Sequence, residues 1–506
     1  MRQFRAMSVF GVLALSSCAS AALDMAPPSA DTPWAPTINA SGAIEPGPAS
    51  SDTRTGFILP PNPVLSILPA PPQIDPGHAY ALAELIDIAE SSNPQTRIAW
   101  DQARQAALAA GIAESTYLPQ ITASAVGAYQ DSTAQSSALG VDANGNNEAH
   151  GVISAVSLNW LLFDFGKRRA AVRATGELST ISNIAFTAAH QQLIYNVSLA
   201  FYTYAATSSR LGEARQSLQN AENVETAAKE RYAHGIGTVT DADQAVQATA
   251  QANLAVVQAT GEAQDAYLAL LRAMGISPMT KMKILIPPCG PLSSALDKPV
   301  QEIVTEALAR RPDTLSAYAA EQASFANVAA AKAEFMPKFF LSATGAYGSG
   351  GVNISALPSI GQQPGTVNIS GSHLNGTILV GITLPIYDGG TRAAALEQAE
   401  AGADSSEAAL DNEQDEAARQ VVAAANGVRT SIAAYSAAEA LATAALTNYN
   451  ASFTAYRTGV GSVTAATLAE TQLLQAQQEV TDAYSTAMSA AATLAFTTGA
   501  LGASPR

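Results

Sequence analysis

The sequence predicts a mainly α-helical chain with membrane β-strands, built from two copies of one unit, and three observations predict it. First, the 506-residue chain repeats itself. Asn93-Pro94 and Arg311-Pro312 lie 218 residues apart, as do Pro119 and Pro337, and Gly127-Ala128-Tyr129 and Gly345-Ala346-Tyr347. The offset then steps to 224 and holds from Phe163-Asp164-Phe165-Gly166 to Tyr387-Asp388-Gly389-Gly390 and from Tyr232-Ala233-His234-Gly235 to Tyr456-Arg457-Thr458-Gly459. A long, nearly constant offset marks a duplicated supersecondary unit with a loop six residues longer in its second copy. Second, Lys167 to His234 and Thr391 to Arg457 contain no proline, and at 1.5 Å per residue such tracts form helices of about 100 Å. Third, short tracts in each half alternate apolar and polar residues, the signature of half-buried strands.

Each element follows in order. Arg2 and Arg5 followed by the apolar Val9–Leu15 read as a secretion signal over 1–17. Leu15-Ser16-Ser17-Cys18 resembles a bacterial lipobox, which makes Cys18 the expected lipidated residue, and Ala19 after it favours transfer to the outer membrane. An ordinary signal that contains a cysteine is the alternative. Residues 18–79 hold 13 of the 26 prolines, all between Pro27 and Pro76, and read as a tether or extended wrap. The first repeat is expected over 80–278, a linker containing Cys289 over 279–298, and the second repeat over 299–500. With Cys18 lipidated, Cys289 has no intrachain partner and reads as a plain linker residue.

Within each repeat a first helical stretch, about 80–117 and 299–335, ends before a proline that cannot continue it, Pro119 or Pro337. Strands follow. Ile121, Ala123, Ala125 and Tyr129 oppose Thr122 and Ser124, and Val152, Val156, Leu158 and Trp160 oppose Ser157 and Asn159. In the second repeat Phe339, Leu341 and Tyr347 oppose Ser342 and Thr344, and Ile378, Val380, Ile382, Leu384 and Ile386 oppose Gly381 and Thr383. About ten residues per strand matches a tilted bilayer crossing. Tyr129, Tyr347 and Trp160 suit an interfacial belt or plain strand packing equally. Loops rich in Gly, Asn and Ser, roughly 130–150 and 348–373, are expected between the strands. In the long helix, Leu193, Val197, Phe201 and Tyr204 recur at spacings of three and four. Gly235 and Gly237, then Gly459 and Gly461, mark positive-φ turns at the tips of antiparallel coiled-coil hairpins.

Composition narrows the function. With 42 acidic against 26 basic residues, a nucleic-acid partner is excluded. No apolar run of 18 residues follows the N-terminus, so a membrane role must use strands. Four strands per chain cannot close a barrel, and an open edge in lipid would leave N–H and C=O groups unpaired. The chain must therefore oligomerise, and a shared barrel continuous with long helices is a conduit. Five scattered histidines offer no metal set, and Gly348-Ser349-Gly350-Gly351 lacks a phosphate-loop lysine. No cofactor, metal or enzymatic chemistry is expected.

Arg310-Arg311-Pro312-Asp313, Ala331-Lys332-Ala333-Glu334-Phe335-Met336-Pro337, Tyr387–Gly390 with Arg392, and Tyr456–Gly459 together resemble the TolC-like outer-membrane efflux protein family over about 80–500. The lipobox points to its NodT-type lipoprotein branch. The resemblance implies a two-repeat TolC-like fold: a homotrimer with a twelve-stranded β-barrel in outer-membrane lipid, continuous with a long periplasmic α-helical barrel of twelve helices. It implies partners too, a periplasmic adaptor (membrane fusion) protein and an inner-membrane transporter, the RND type favoured. In the family the periplasmic mouth closes through polar contacts near the hairpin tips. Thr240 and Asp241 match the first-repeat pair of that gate and Tyr456 matches the tyrosine they meet, while the tips around Gly235, Gly237, Gly459 and Gly461 match the adaptor-docking region. Gly461 replaces a bridging arginine of the best-known member, and Ala465 and Leu468 replace its ring of acids. Any cation filter must therefore use acids such as Asp241, Asp243 or Glu470. Asp241 has a plainer reading as well, favouring the positive end of a helix.

Three functions remain open at this point. The foremost is the outer-membrane exit duct of a tripartite efflux system for small toxic compounds. The second is the duct of a type I protein or polymer secretion system. The third, from another class, is a coiled-coil surface lipoprotein without a pore.

Overall fold

A computed structural model of the chain describes residues 26–27, 29–31, 33–34, 36–45, 57–67, 72–138, 141–292, 299–354, 367–370 and 373–502. The expected signal over 1–17 and Cys18 lie outside the described residues. The chain divides into two units, one comprising 1–75 with 277–281 and the other 76–276 with 282–506.

In the first unit, strands β1 (Thr37–Ile38) and β2 (Ile44–Glu45) pair antiparallel. The Asn39 side chain closes their turn by accepting from the backbone N–H groups of Ser41 at 3.0 Å and Ala43 at 2.9 Å. Asn62 caps a one-turn 3₁₀ helix (Pro63–Ser66) and donates to the Gly42 carbonyl at 2.9 Å.

The second unit carries the repeat. It begins with β3 (Ala79–Tyr80), α1 (Leu82–Ser92) and α2 (Pro94–Ser115). The hairpin β4 (Gln120–Ala138) and β5 (Val141–Phe163) follows, then α3 (Lys167–Ala233) and α4 (Val239–Met274). After β6 (Lys283–Ile284), which pairs parallel with β3, the order recurs with α5 (Val300–Leu308) and α6 (Pro312–Ala333). Strands β7 (Lys338–Ile354), β8 (Val367–Ser370) and β9 (His373–Thr383) follow, and the chain closes with α7 (Thr391–Thr458) and α8 (Val463–Thr497).

Two expectations need correction. The first helical stretch of each repeat is two helices, because Pro94 and Pro312 each occupy a first helical position, where the missing N–H costs nothing, and force extended backbone at Asn93 and Arg311. Three of the strands, β4, β5 and β7, also run well past ten residues, at 19, 23 and 17, while β9 has 11. Residues 130–138 and 141–150 pair as a continuous ladder up to Ala138↔Val141 where a loop is expected, and β7 and β8 pair as Gly351↔Ser370 to Ile354↔Val367. Backbone pairing does not require β-branched side chains once a hairpin is in register.

The four long strands form one antiparallel sheet in the order β4-β5-β7-β9, with β8 beside the far end of β7. The register sets Thr122, Ser157, Thr344 and Thr377 in one row across all four strands. Thr122 and Ser157 hydrogen bond at 2.7 Å, and Ser342 donates to Asn159 at 3.0 Å one row away on the same face. The opposite face carries Ile121, Val156, Ile378, Val380 and Ile382, all more than half exposed. One hydrogen-bonded polar face and one bare aliphatic face is the pattern of a strand between water and hydrocarbon. The Trp160 indole N–H donates to the Tyr117 carbonyl at 2.8 Å.

Each strand-to-helix junction is a clamp, built twice. Asp164 accepts from the backbone N–H of Gly166 (3.3 Å) and Arg168 (2.9 Å) and from Arg168 Nε (3.1 Å). The guanidinium also donates to the carbonyls of Thr116 and Leu162 and lies 5.1 Å from the centre of the Tyr117 ring. Asp388 and Arg392 repeat this, with donation to the Pro385 carbonyl at 2.8 Å and Phe335 as the ring. Gly166 (φ 94°) and Gly390 (φ 88°) supply the left-handed residue that turns strand into helix.

The long helices pack as antiparallel pairs through small residues at seven-residue spacing. Ala245, Ala252, Ala259 and Ala266 on α4 are buried, as are Ala214, Ala221 and Ala228 on α3. A seven-residue period winds two helices into a left-handed supercoil, and alanine lets their axes approach. Leu193, Val197 and Phe201 are buried as the periodicity predicts, while Tyr204 is half-buried.

Candidate functional site

The hairpin tips lie at the α3–α4 and α7–α8 turns. Both use the same main-chain closure. The N–H groups of Ile236 and Gly237 donate to the Arg231 carbonyl at 3.0 and 3.1 Å, and those of Val460 and Gly461 donate to the Ala455 carbonyl at 3.0 Å each. Gly235 (φ 73°) and Gly459 (φ 88°) adopt the left-handed conformation that terminates a helix. Gly237 and Gly461, expected to share it, do not. They are glycine for lack of room: a Cβ at Gly237 would sit 3.2 Å from the Tyr232 backbone nitrogen, and one at Gly461 3.0 Å from that of Tyr456. Ile236 and Val460, 66% and 84% exposed, crown the two tips at repeat-equivalent positions.

Both return helices begin with a hydroxyl cap. Thr238 accepts from the Asp241 backbone N–H at 3.1 Å while the Asp241 carboxylate accepts from the Thr238 backbone N–H at 3.2 Å, a reciprocal capping box. At the second tip Ser462 accepts from the Ala465 N–H at 3.1 Å, and alanine gives nothing back.

Thr240 is exposed on the first turn of α4, beside the half-buried Asp241. Tyr456 is 3% exposed, in an apolar cluster of Val224, Ala228, Ala245, Val463 and Ala466 drawn from all four long helices. Its hydroxyl is buried with no hydrogen-bond partner among the described residues. Burial pushes the Tyr456 phenol up; the Arg231 charge opposes that and Asp241 adds to it, so Asp241 is within electrostatic reach of the ring. Thr240, Asp241 and Tyr456 thus gather at the tips, with the Asp241 carboxylate committed to its own helix cap. Asp243 is exposed. Glu470 is 8% exposed, accepts a short hydrogen bond from Ser217, and is pushed up by burial. It lies almost wholly buried inside the protomer.

One residue escapes sequence reasoning. The Arg231 guanidinium donates to the Tyr456 carbonyl at 3.2 Å and to the Ile236 carbonyl at 3.4 Å, and lies 5.3 Å from the centre of the Tyr456 ring. The available signal was the repeat itself, since residue 455 at the equivalent position is alanine.

Two repeats that place a sheet with one bare aliphatic face above long coiled-coil hairpins can be compared with known proteins. The family model described as outer membrane efflux protein matches residues 85–276 and 303–500. The chain belongs to the outer membrane efflux protein family. Protein CyaE of Bordetella pertussis is 28% identical over 412 residues, 81% of this chain and 82% of the relative. Outer membrane protein OprJ of Pseudomonas aeruginosa is 28% identical over 67% of each chain. A crystal structure of a membrane protein from Pseudomonas aeruginosa, 25% identical, superposes with a TM-score of 0.68 over 83% of this chain and 90% of the other. The protein is accordingly an outer-membrane efflux channel with an extended periplasmic helical part, and no enzyme. Channels of this family are trimers that work with a periplasmic adaptor and an inner-membrane pump. The reading as a surface lipoprotein without a pore is set aside.

Proposed function

We propose that three copies of this efflux protein close a twelve-stranded barrel continuous with the helical tube, and pass small toxic compounds received from an RND-type pump. The sheet carries this reading. Among the described residues β4 and β9 each have one long-strand neighbour, so both edges present unpaired backbone groups beside an aliphatic face, which lipid tolerates only once neighbouring copies pair them. The lipobox-like segment supports acylation at Cys18 and, with it, the NodT-type branch whose members pair with proton-driven pumps. Residues 1–17 then act as signal, 18–79 as tether, 80–278 and 299–500 as the two repeats and 279–298 as their linker. The tips around Gly235, Gly237, Gly459 and Gly461, crowned by Ile236 and Val460, serve as the adaptor-docking end, and Thr240, Asp241 and Tyr456 as the gate.

Detergent-extracted protein is expected as conducting trimers in planar bilayers, and to co-purify with an RND pump and its adaptor after cross-linking in cells. A non-conducting single subunit would refute the duct, and retention by an ABC exporter's adaptor instead would make it a secretion duct. Asp241→Ala is expected to raise single-channel conductance. Unchanged conductance, with only the first turn of α4 loosened, would leave Asp241 as a helix cap.

A further inference from the structure

We propose that Arg231 latches the closed mouth: rooted at the end of α3 in the first repeat, its guanidinium holds the tip of the second-repeat hairpin. The proposal rests on the reading that the hairpin tips form the periplasmic mouth, and it supplies the cross-hairpin contact there that neither Asp241 nor Gly461 provides.

The repeat separates what the Arg231 backbone does from what its side chain does. The Arg231 carbonyl closes the first turn by accepting from Ile236 and Gly237, and the Ala455 carbonyl closes the second turn identically, accepting from Val460 and Gly461. A methyl side chain therefore suffices for the turn. The remainder of the arginine reaches out of its own hairpin. It donates to the Tyr456 carbonyl across 225 positions of sequence, and a Cβ placed on Gly459 would meet its terminal nitrogen at 3.3 Å. Gly459 thus leaves room for the guanidinium at the second tip.

The chemistry suits a latch more than a permanent bolt. The acceptors are main-chain carbonyls, Ile236 in the turn just past α3 and Tyr456 in the last turn of α7, which also accepts from the Gly459 N–H at 3.1 Å, and the C-terminal end of a helix favours a cation. The Tyr456 ring adds an attractive face to the cation. Among the described residues no carboxylate pairs with Arg231. The group is half-buried, so water replaces its acceptors when the hairpins part, and the contact is reversible at modest cost. In the apolar cluster beneath, Tyr456 contributes its ring from the second repeat against Val224 and Ala228 of the first. Release of Arg231 frees the Tyr456 end of that cluster to slide.

The test compares wild-type, Arg231→Ala and Arg231→Lys trimers in planar bilayers, with thermal melting and size-exclusion chromatography as controls for assembly. Arg231→Ala is expected to raise the open-to-closed ratio roughly tenfold, the worth of one charge-assisted hydrogen bond. Arg231→Lys, which keeps the cation but cannot fork to both carbonyls, falls between and serves if the alanine variant does not assemble. In the Arg231→Ala background, cysteines at Gln244 and Thr464, whose wild-type side chains meet at 3.2 Å across the two hairpins, are expected to restore low conductance when oxidised and not when reduced. Wild-type conductance in both arginine variants would overturn the latch and leave Arg231 as a helix-end cap. An opened channel indifferent to the oxidised pair would also overturn it, by showing that the tips are not where the path narrows.

Discussion

Replacing Arg311 by alanine should unfasten the end of α8 without unfolding the rest of the repeat. Arg311 is 5% exposed and sits at the extended residue that opens α6. Its guanidinium pairs with Asp313 (Nε to Oδ1, 2.9 Å), donates to the Gln420 side chain of α7 at 2.8 Å, and donates to the Thr497 carbonyl at the last turn of α8 at 3.0 Å. It therefore ties three elements. The first repeat makes the same tie with different chemistry: Asn93, the equivalent residue, donates to the Ala273 carbonyl at the end of α4 at 3.3 Å. Asp313 keeps 40% of its side-chain surface and rehydrates when its partner is lost, so its pairing adds little. The bonds to Gln420 and Thr497 are charge-assisted and enclosed, and together are worth about 3 kcal/mol, against about 1 kcal/mol for the neutral Asn93 bond. Amide exchange over Leu494–Thr497 should accelerate roughly 100-fold in Arg311→Ala. The matched change in the first repeat is Asn93→Ser, which keeps a capping oxygen for α2 and removes the amide donor without adding a charge, and it should accelerate exchange at the end of α4 only about fivefold. Hydrogen-exchange mass spectrometry of the detergent trimer reads both. Equal acceleration would refute the argument, because the arginine would then contribute no more than the asparagine. The pH dependence has a definite sign. Burial pushes the Asp313 carboxyl up, but Arg311 and the Thr314 N–H outweigh it and hold the group below the usual 3.8. The protection Asp313 lends is thus complete above that pH and lost only as the pH falls through the lowered value.

The other predictions concern the clamps and the seam between hairpins. Asp164→Ala leaves the 11%-exposed Arg168 without its carboxylate and should cost about 3 kcal/mol in trimer melting. Asp388→Ala, at the second clamp, where the carboxylate keeps 30% of its surface against 6% for Asp164, should cost less, and a larger loss there would contradict the burial argument. Glu470→Gln keeps an acceptor for Ser217 and removes a charge that burial disfavours, so it should raise the melting temperature at neutral pH. Because burial raises the Glu470 carboxyl, its destabilising charge is absent at acidic pH and appears as the pH rises through the raised value. The advantage of glutamine should therefore vanish as the pH falls toward 4.5, the ordinary glutamate value, and an advantage that persisted there would assign the effect to packing.

Much of this was legible in the sequence for reasons particular residues make plain. Alternation assigned Ser157, Asn159, Ser342 and Thr344 to one face and Val156, Ile378 and Val380 to the other, and the register agrees residue by residue, because a half-exposed strand leaves a period-two trace. Gly235 and Gly459 were legible as turn glycines. Gly237 and Gly461 were not separable from them, since close approach to a backbone nitrogen leaves the same letter as positive φ. The length of the strands was hidden because 130–150 is rich in residues of low strand propensity, while the ladder that extends there is made of main chain. Arg231 was hidden for a further reason: its partner is a carbonyl far away in sequence, and a carbonyl has no residue type to betray it.

The two kinds of helix contact in the repeat also differ in what they permit. Within each hairpin, and in the cluster at the tips, the buried layers are mostly apolar, with alanine and valine joined by larger side chains such as Tyr449, Tyr456 and Leu473, and sliding them apart would expose apolar surface with no compensation. Higher up, the seam between α3 of the first repeat and α8 of the second is polar. Tyr195 meets Thr493 at 3.1 Å, Ser485 donates to the Tyr202 carbonyl at 3.0 Å, Arg210 pairs with Asp482, Thr481 with Glu213, and Ser217 with Glu470. Each such group can exchange its partner for water at a small fraction of its gross bond energy, and Glu213 and Glu470, both raised by burial, gain from doing so at neutral pH. A chain whose hairpins are apolar inside and joined to one another by hydrogen bonds is built to move hairpin against hairpin as rigid pieces. The tip cluster and Arg231 are then the last apolar and cationic contacts that such a movement has to break.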